Sequence, residues 1–145
     1  MYIVSACLAG RNCKYDGGNN ECPWVVDFTM KNKCVLVCPE IGRLGAPRAP
    51  VEITGGRAVS RDGKDVTDEF VKGAEDAWKL AESAAEDAGE TIGGAILKAN
   101  SPSCGCGTIY DGAFRGKLAE GDGFFAKLLK SLGIAVMTEK EKIIW

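Results

Sequence analysis

The sequence predicts an α/β domain built on a mainly parallel sheet of about four strands. Four apolar runs, residues 2–6, 33–37, 92–98 and 134–137, are near-continuous rather than alternating, as strands are when both faces of a parallel sheet are covered. Helical patterns lie between them, and strand–helix–strand alternation in a short chain selects an α/β layer structure. The 145 residues contain no linker or low-complexity segment, so residues 1–145 read as one domain.

Taken in order, YIVSA (2–6) is the first buried strand and KCVLV (33–37) the second. The Gly55-Gly56 pair inside VEITGGRAVSRDGKDV predicts a hairpin with a further turn behind it. The clearest helix runs from about residue 68 to 88: Thr67 suits the N-cap, Asp68 and Glu69 the first turn, and Gly89 the C-terminal glycine position. Phe70, Ala74, Ala77, Trp78, Ala81 and Ala85 trace its apolar stripe. IGGAILK (92–98) is the third strand, and a helix over about 123–132 ends before Gly133 and leads into the last strand, IAVM (134–137). Tyr-Asp-Gly occurs at Tyr15 and again at Tyr110; the flanks differ, which predicts two similar turns rather than a duplication.

Composition narrows the function classes. A net charge of -2 gives no electrostatic case for long nucleic acid. No apolar run reaches the roughly 18–20 residues that span a bilayer. MYIVSACLAG lacks the basic start of a signal peptide, so the cytoplasm is the expected location. Seven cysteines without an export signal favour metal or redox chemistry over structural disulfides. The chain has no histidine, so any proton transfer falls to Glu, Asp, Tyr, Lys or Cys.

Cys7, Cys38 and Cys104 lie at or just beyond the C-terminal ends of three predicted strands. In a parallel sheet these ends share one edge, which is where ligands bind in open α/β sheets. The Ser/Pro/Gly setting of Cys104, ANSPSCGCG, predicts an exposed loop with free backbone N–H groups around the thiol. Cys34, inside a strand, reads as a small hydrophobe. Cys22 and Cys106 stay open between packing and function, and Cys13 is close enough to Cys7 to be a spare ligand. Zinc is the alternative metal, but Cys104-Gly105-Cys106 is too tight, and Cys7 to Cys13 too wide, for the usual paired zinc ligands. Single thiols from three loops suit an iron–sulfur cluster better. Three thiolates leave one iron of a cubane open to a substrate sulfur or oxygen.

The strings SACLAG, YDGG, VCPE, APRAPVEI, DVTDEFVKGAE, LKANSPSCG, IYDGAF and GDGFFAKLLKSLGI run along almost the whole chain. In this order they resemble the small proteins of the domain-of-unknown-function family numbered 523, to which the thiouracil desulfidases belong. The resemblance implies a Rossmann-like three-layer fold and a [4Fe-4S] cluster held by Cys7, Cys38 and Cys104, with the fourth iron facing substrate. It also implies Glu40 as catalytic carboxylate and Ser101 as a substrate-contacting serine, and leaves Cys13 out of the ligand set. The chain departs from the family's Gly-Gly-Leu-Pro-x-Pro-Arg loop, reading Gly42-Arg43-Leu44-Gly45-Ala46-Pro47-Arg48 instead, and Arg43 and the missing proline are expected to reshape the pocket.

The activity so implied is removal of sulfur from a thiolated pyrimidine, C=S to C=O, with release of sulfide. It needs an electrophile for sulfur, a water and a proton carrier. Glu40, two residues beyond Cys38, is the best candidate carrier in a chain without histidine. Ser101 and Ser103 flank Pro102, and either hydroxyl can bond a ring carbonyl or a water, or simply close a turn. Tyr15 and Tyr110 either face the pyrimidine or pack their turns, with packing preferred. Arg48 either binds an anionic group or pairs with Glu52. The expected partner is a small thiolated base or nucleoside, with no membrane and no long nucleic acid. A non-catalytic cluster- or metal-binding sensor is the alternative; thiol redox chemistry lacks its Cys-x-x-Cys pair.

Overall fold

The computed structural model describes residues 1–142. Strand β1 (Tyr2–Ser5) runs directly into a turn of 3-10 helix (Ala6–Ala9), and helix α1 (Pro23–Lys31) leads back to β2 (Cys34–Val37). A short helix α2 (Ile41–Leu44) follows, then the hairpin β3 (Val51–Thr54) and β4 (Arg57–Ser60), the long helix α3 (Thr67–Asp87) and β5 (Gly94–Leu97). Beyond β5 lie a small antiparallel pair, β6 (Thr108–Tyr110) and β7 (Leu118–Glu120), then α4 (Phe124–Ser131) and β8 (Val136–Thr138).

The central sheet has the order β2-β1-β5-β8 and all its pairs are parallel. Tyr2 stands opposite Cys34 on one side and Gly94 on the other. The period-2 geometry of strands then divides their side chains between two apolar layers. Ile3, Ala95 and Leu97 pack with Ala74, Ala77 and Ala81 of α3 and Phe125 and Leu129 of α4. Val4 and Ile96 pack with Val25 and Phe28 of α1. Helices thus cover both faces, which is why the strand sequences read as unbroken apolar runs. The α/β, Rossmann-like three-layer expectation holds.

The four expected strands and the Gly55-Gly56 hairpin are present; the first three strands are shorter by a residue or two at their ends, and the last starts two residues later and runs on to Thr138. Thr67 is not the N-cap of α3 but its first helical residue. Its N–H donates to Asp65 Oδ1 at 2.9 Å, while its hydroxyl oxygen accepts the Ala58 N–H at 2.9 Å. Asp65 therefore serves the helix start, and Thr67 pins it to β4.

Two glycines bring helices against the loops of the sheet edge. A Cβ on Gly73 of α3 would lie 1.9 Å from the carbonyl oxygen of Pro39. One on Gly123, at the N-cap of α4, would lie 2.4 Å from the backbone of Ser103. Behind β8, Glu139 ties three segments: its carbonyl accepts the Trp24 indole N–H, its Oε1 accepts the Ala99 N–H, and its Oε2 pairs with Lys98 at 3.1 Å.

Candidate functional site

The C-terminal edge of the sheet opens into a cavity of about 450 Å³. Cys7 reaches it from the 3-10 turn after β1, Cys38 from the residue after β2, and Cys104 from the loop after β5. Glu40, Ser101, Ser103, Arg48 and Tyr15 line the same cavity. All the residues singled out as cluster, catalytic or substrate candidates therefore meet in one place.

Cys104 departs from the sequence expectation. It is 4% exposed rather than on an exposed loop. Nor are the nearby N–H groups free: the Cys104 N–H donates to Ser101 Oγ at 2.8 Å and the Gly105 N–H to the Ser101 carbonyl at 2.9 Å. The reason lies downstream. The first N–H groups of α4 need acceptors, and they find the loop's own carbonyls, Phe124 donating to Pro102 and Phe125 to Ser103. The helix start draws the loop inward. Burial pushes the Cys104 thiol up to about 12, even though the Ser5 hydroxyl donates to its sulfur at 3.3 Å.

The other side of the cavity holds three thiols. Cys13 is buried, and its sulfur lies within hydrogen-bonding reach of both Cys7 and Cys38. As the shared donor it pulls both neighbours below the ordinary thiol range, Cys38 to about 6. The backbone N–H groups of Glu40 and Ile41 add to the effect at Cys38, against its burial. Cys13 itself is pushed up, because losing its proton would break both contacts beside two like charges.

Glu40 spans the gap between these two halves. Its Oε2 accepts the Ser103 hydroxyl at 2.5 Å, and its Oε1 lies 3.4 Å from the Arg48 guanidinium. Ser103 Oγ is also 3.7 Å from Cys104 Sγ, but its single proton favours the short, charge-assisted bond to the carboxylate. Arg48 is 8% exposed at its side chain; it donates to the Gly45 carbonyl at 2.8 Å and the Cys13 carbonyl at 3.0 Å. It pairs with Glu40 and not Glu52, whose Oε1 accepts the N–H groups of Gly112 and Phe114.

Arg43 does not shape the cavity. Its guanidinium makes two contacts to Asp76 of α3, at 2.7 and 3.1 Å, on the protein surface. Tyr15 and Tyr110 both line the cavity and remain partly exposed. Their two Tyr-Asp-Gly segments do form matching turns: Asp16 accepts the Gly18 N–H, and Asp111 the Ala113 N–H. Cys34 packs under α1, as does Cys22. Cys106 turns away from the cavity, its thiol 3.8 Å from the Val136 carbonyl.

Ser5 and Lys98 are among the cavity residues that escaped the sequence reading. Ser5 Oγ accepts the Lys98 N–H at 2.9 Å while donating to Cys104. Each stands at the end of a buried apolar strand, where a polar residue is itself the signal. Among the described residues, no three His, Cys, Asp or Glu side chains group as ligands of a single metal ion. The donors nonetheless fit a thiophilic multi-iron group: three sulfurs from three loops border one cavity, with Lys98 beside the thiols to balance their charge.

A Rossmann-like sheet with three cysteines at its ligand edge defines the class, and sequence comparison defines the family. The family model of 2-thiouracil desulfurase matches residues 2–141, and the chain belongs to that family. It is 38% identical to the uncharacterized protein YbbK of Bacillus subtilis, over 97% of each chain. Among solved structures it is similar to the [4Fe-4S]-dependent thiouracil desulfidase TudS, with 39% identity and a TM-score of 0.85, covering 98% of this chain and 92% of that one.

Proposed function

We propose that this protein is an iron–sulfur-dependent desulfidase that converts the C=S of a small thiolated pyrimidine, as base or nucleoside, to C=O. The observation that carries this reading is the meeting of Cys7, Cys38 and Cys104 around one cavity with Glu40 fixed at its rim. The family match and the similarity to TudS support it. The three cysteines are the proposed protein ligands of a [4Fe-4S] cluster. When bound, that cluster supplies an open, thiophilic iron for the departing sulfur.

The chain's own residues do the rest. Glu40 takes a proton from the water that enters at the ring carbon and returns one to the departing sulfide, so that C=S and H₂O become C=O and H₂S. Ser103 and Arg48 hold its two oxygens, which fixes the carboxylate's direction. Ser101 Oγ already accepts the Cys104 N–H, and its own proton bonds the pyrimidine's ring carbonyl. Tyr15 and Tyr110 cover the ring faces.

Anaerobic preparation with iron and sulfide counts, followed by sulfide release from thiouracil, tests the reading. The expected protein is brown and releases sulfide in step with uracil. A protein that binds iron without turnover is a binding or sensing protein; one that cannot be loaded refutes the cluster assignment.

A further inference from the structure

The proposed chemistry leaves one pocket thiol unused. Cys13 is 6% exposed, less than the half-buried Cys7 and Cys38 that line the same cavity. Its backbone is fixed on both sides: its N–H donates to the Arg11 carbonyl at 2.9 Å and its carbonyl accepts from Arg48 at 3.0 Å. The Cys38 sulfur approaches that same carbonyl at 3.7 Å, and both cysteines line the same wall of the cavity. A thiol that lies this close to the backbone of a second cysteine is within the short range over which a disulfide forms.

We propose that Cys13 is a resolving thiol: in the metal-free protein it closes a disulfide with Cys38, and this bond protects the ligand and blocks cluster loading until it is reduced. The disulfide is a property of the thiols alone; only the block on loading rests on the cluster reading above. The oxidant is a low-molecular-weight disulfide entering the cavity. The Cys38 thiolate attacks it, forms a mixed disulfide and expels one small thiol. The mixed disulfide removes the Cys38 charge that helped hold the Cys13 proton; Cys13 gives that proton up, and its sulfur attacks the Cys38 sulfur and expels the second small thiol. Two protein thiols are oxidised, one external disulfide is reduced to two thiols, and the two protons leave with them. Without Cys13, Cys38 loses that resolving partner and stays open to further oxidation.

The test uses full-length, metal-free protein prepared anaerobically under reductant and then exposed to glutathione disulfide. Peptide mass mapping should find Cys13 linked to Cys38 in the native chain, and a lasting glutathione adduct on Cys38 in both Cys13→Ser and Cys13→Ala. Offered iron and sulfide, the oxidised native protein should lose nearly all uptake and recover it with dithiothreitol. Both Cys13 variants, kept reduced, should load as fully as the native chain. A lasting adduct on native Cys38, a cross-link that leaves Cys13 out, or iron loss from the reduced variants overturns the proposal. If the cross-link forms but the reduced native protein never loads iron, the cluster reading fails and the resolving role stands.

Discussion

Ser103 and Glu40, 63 residues apart in the chain, share a 2.5 Å hydrogen bond that joins the loop after β5 to the start of α2. The bond fixes the carboxylate between a serine hydroxyl and the Arg48 guanidinium. Glu40→Gln keeps the shape but not the basicity, so sulfide release should fall by about 10²–10⁴ with iron content unchanged. Ser103→Ala removes one charge-assisted bond and should cost about ten- to hundredfold in kcat. Equal turnover in Glu40→Gln and native protein would remove Glu40 from the chemistry.

Cys7→Ser, Cys38→Ser and Cys104→Ser should each lose most of the iron, since a hard hydroxyl replaces a soft thiolate in a set of three. Cys22→Ser, Cys34→Ser and Cys106→Ser should keep it, because none of these thiols lines the cavity. Iron analysis after anaerobic reconstitution decides. Loss in Cys106→Ser equal to that in Cys104→Ser would contradict the placement of Cys106 against Val136.

The metal-free thiols should differ in their response to pH. Cys38, pulled to about 6 by its bond from Cys13, should be alkylated by iodoacetamide with a midpoint near that pH, and Cys104, pushed up to about 12, should resist throughout the neutral range. A thiol pKa lowered from 9.0 in the folded chain contributes stability that is complete above pH 9 and is lost as pH falls through about 6. Removing the donor in Cys13→Ala should move the Cys38 midpoint upward. An unmoved midpoint would show that the backbone N–H groups of Glu40 and Ile41 set it instead.

Gly123→Ala forces a Cβ to within 2.4 Å of the Ser103 backbone, where nothing flexible gives way. Thermal unfolding should show a loss of about 1–3 kcal/mol, together with reduced iron uptake because the Cys104 loop must shift. Gly42→Ala, on α2 with open space around it, is the control. It should be neutral or up to about 1 kcal/mol stabilising. Similar melting curves for the two variants would contradict the close approach of α4 to the loop.

Much of this molecule is legible in its residues because burial on both faces marks Ile3, Val4, Ala95, Ile96 and Leu97 as strand. The positions of Cys7 and Cys38 follow from those strands. Helix α1 was less visible: of its apolar cluster Trp24, Val25, Val26 and Phe28, only Val25 and Phe28 are buried, so the stripe is weak. Strand β7 is exposed along its whole length and carries no alternation. The inward turn of Cys104 was hidden for another reason: it depends on α4 capping itself on carbonyls some twenty residues upstream in the chain, which no local pattern encodes. Arg43 and Arg48 show the same limit. Their partners, Asp76 and Glu40, are chosen by packing, and a charge in a loop does not name its counter-ion.

The tie between Glu139 and the segment after β5 gives the site an order of assembly. Ala99 and Lys98 are held by a residue some forty positions later, and the Cys104 loop is held by the start of α4. A chain still emerging from the ribosome can carry all three proposed ligand thiols and yet have no closed chamber. A domain folds as a unit, and β1 lies between β2 and β5 in this sheet, so the site closes only when the segments on both sides of it are available. On the proposed reading, loading with iron is a step for the folded chain, and the interval before it is when a bare thiol most needs a partner.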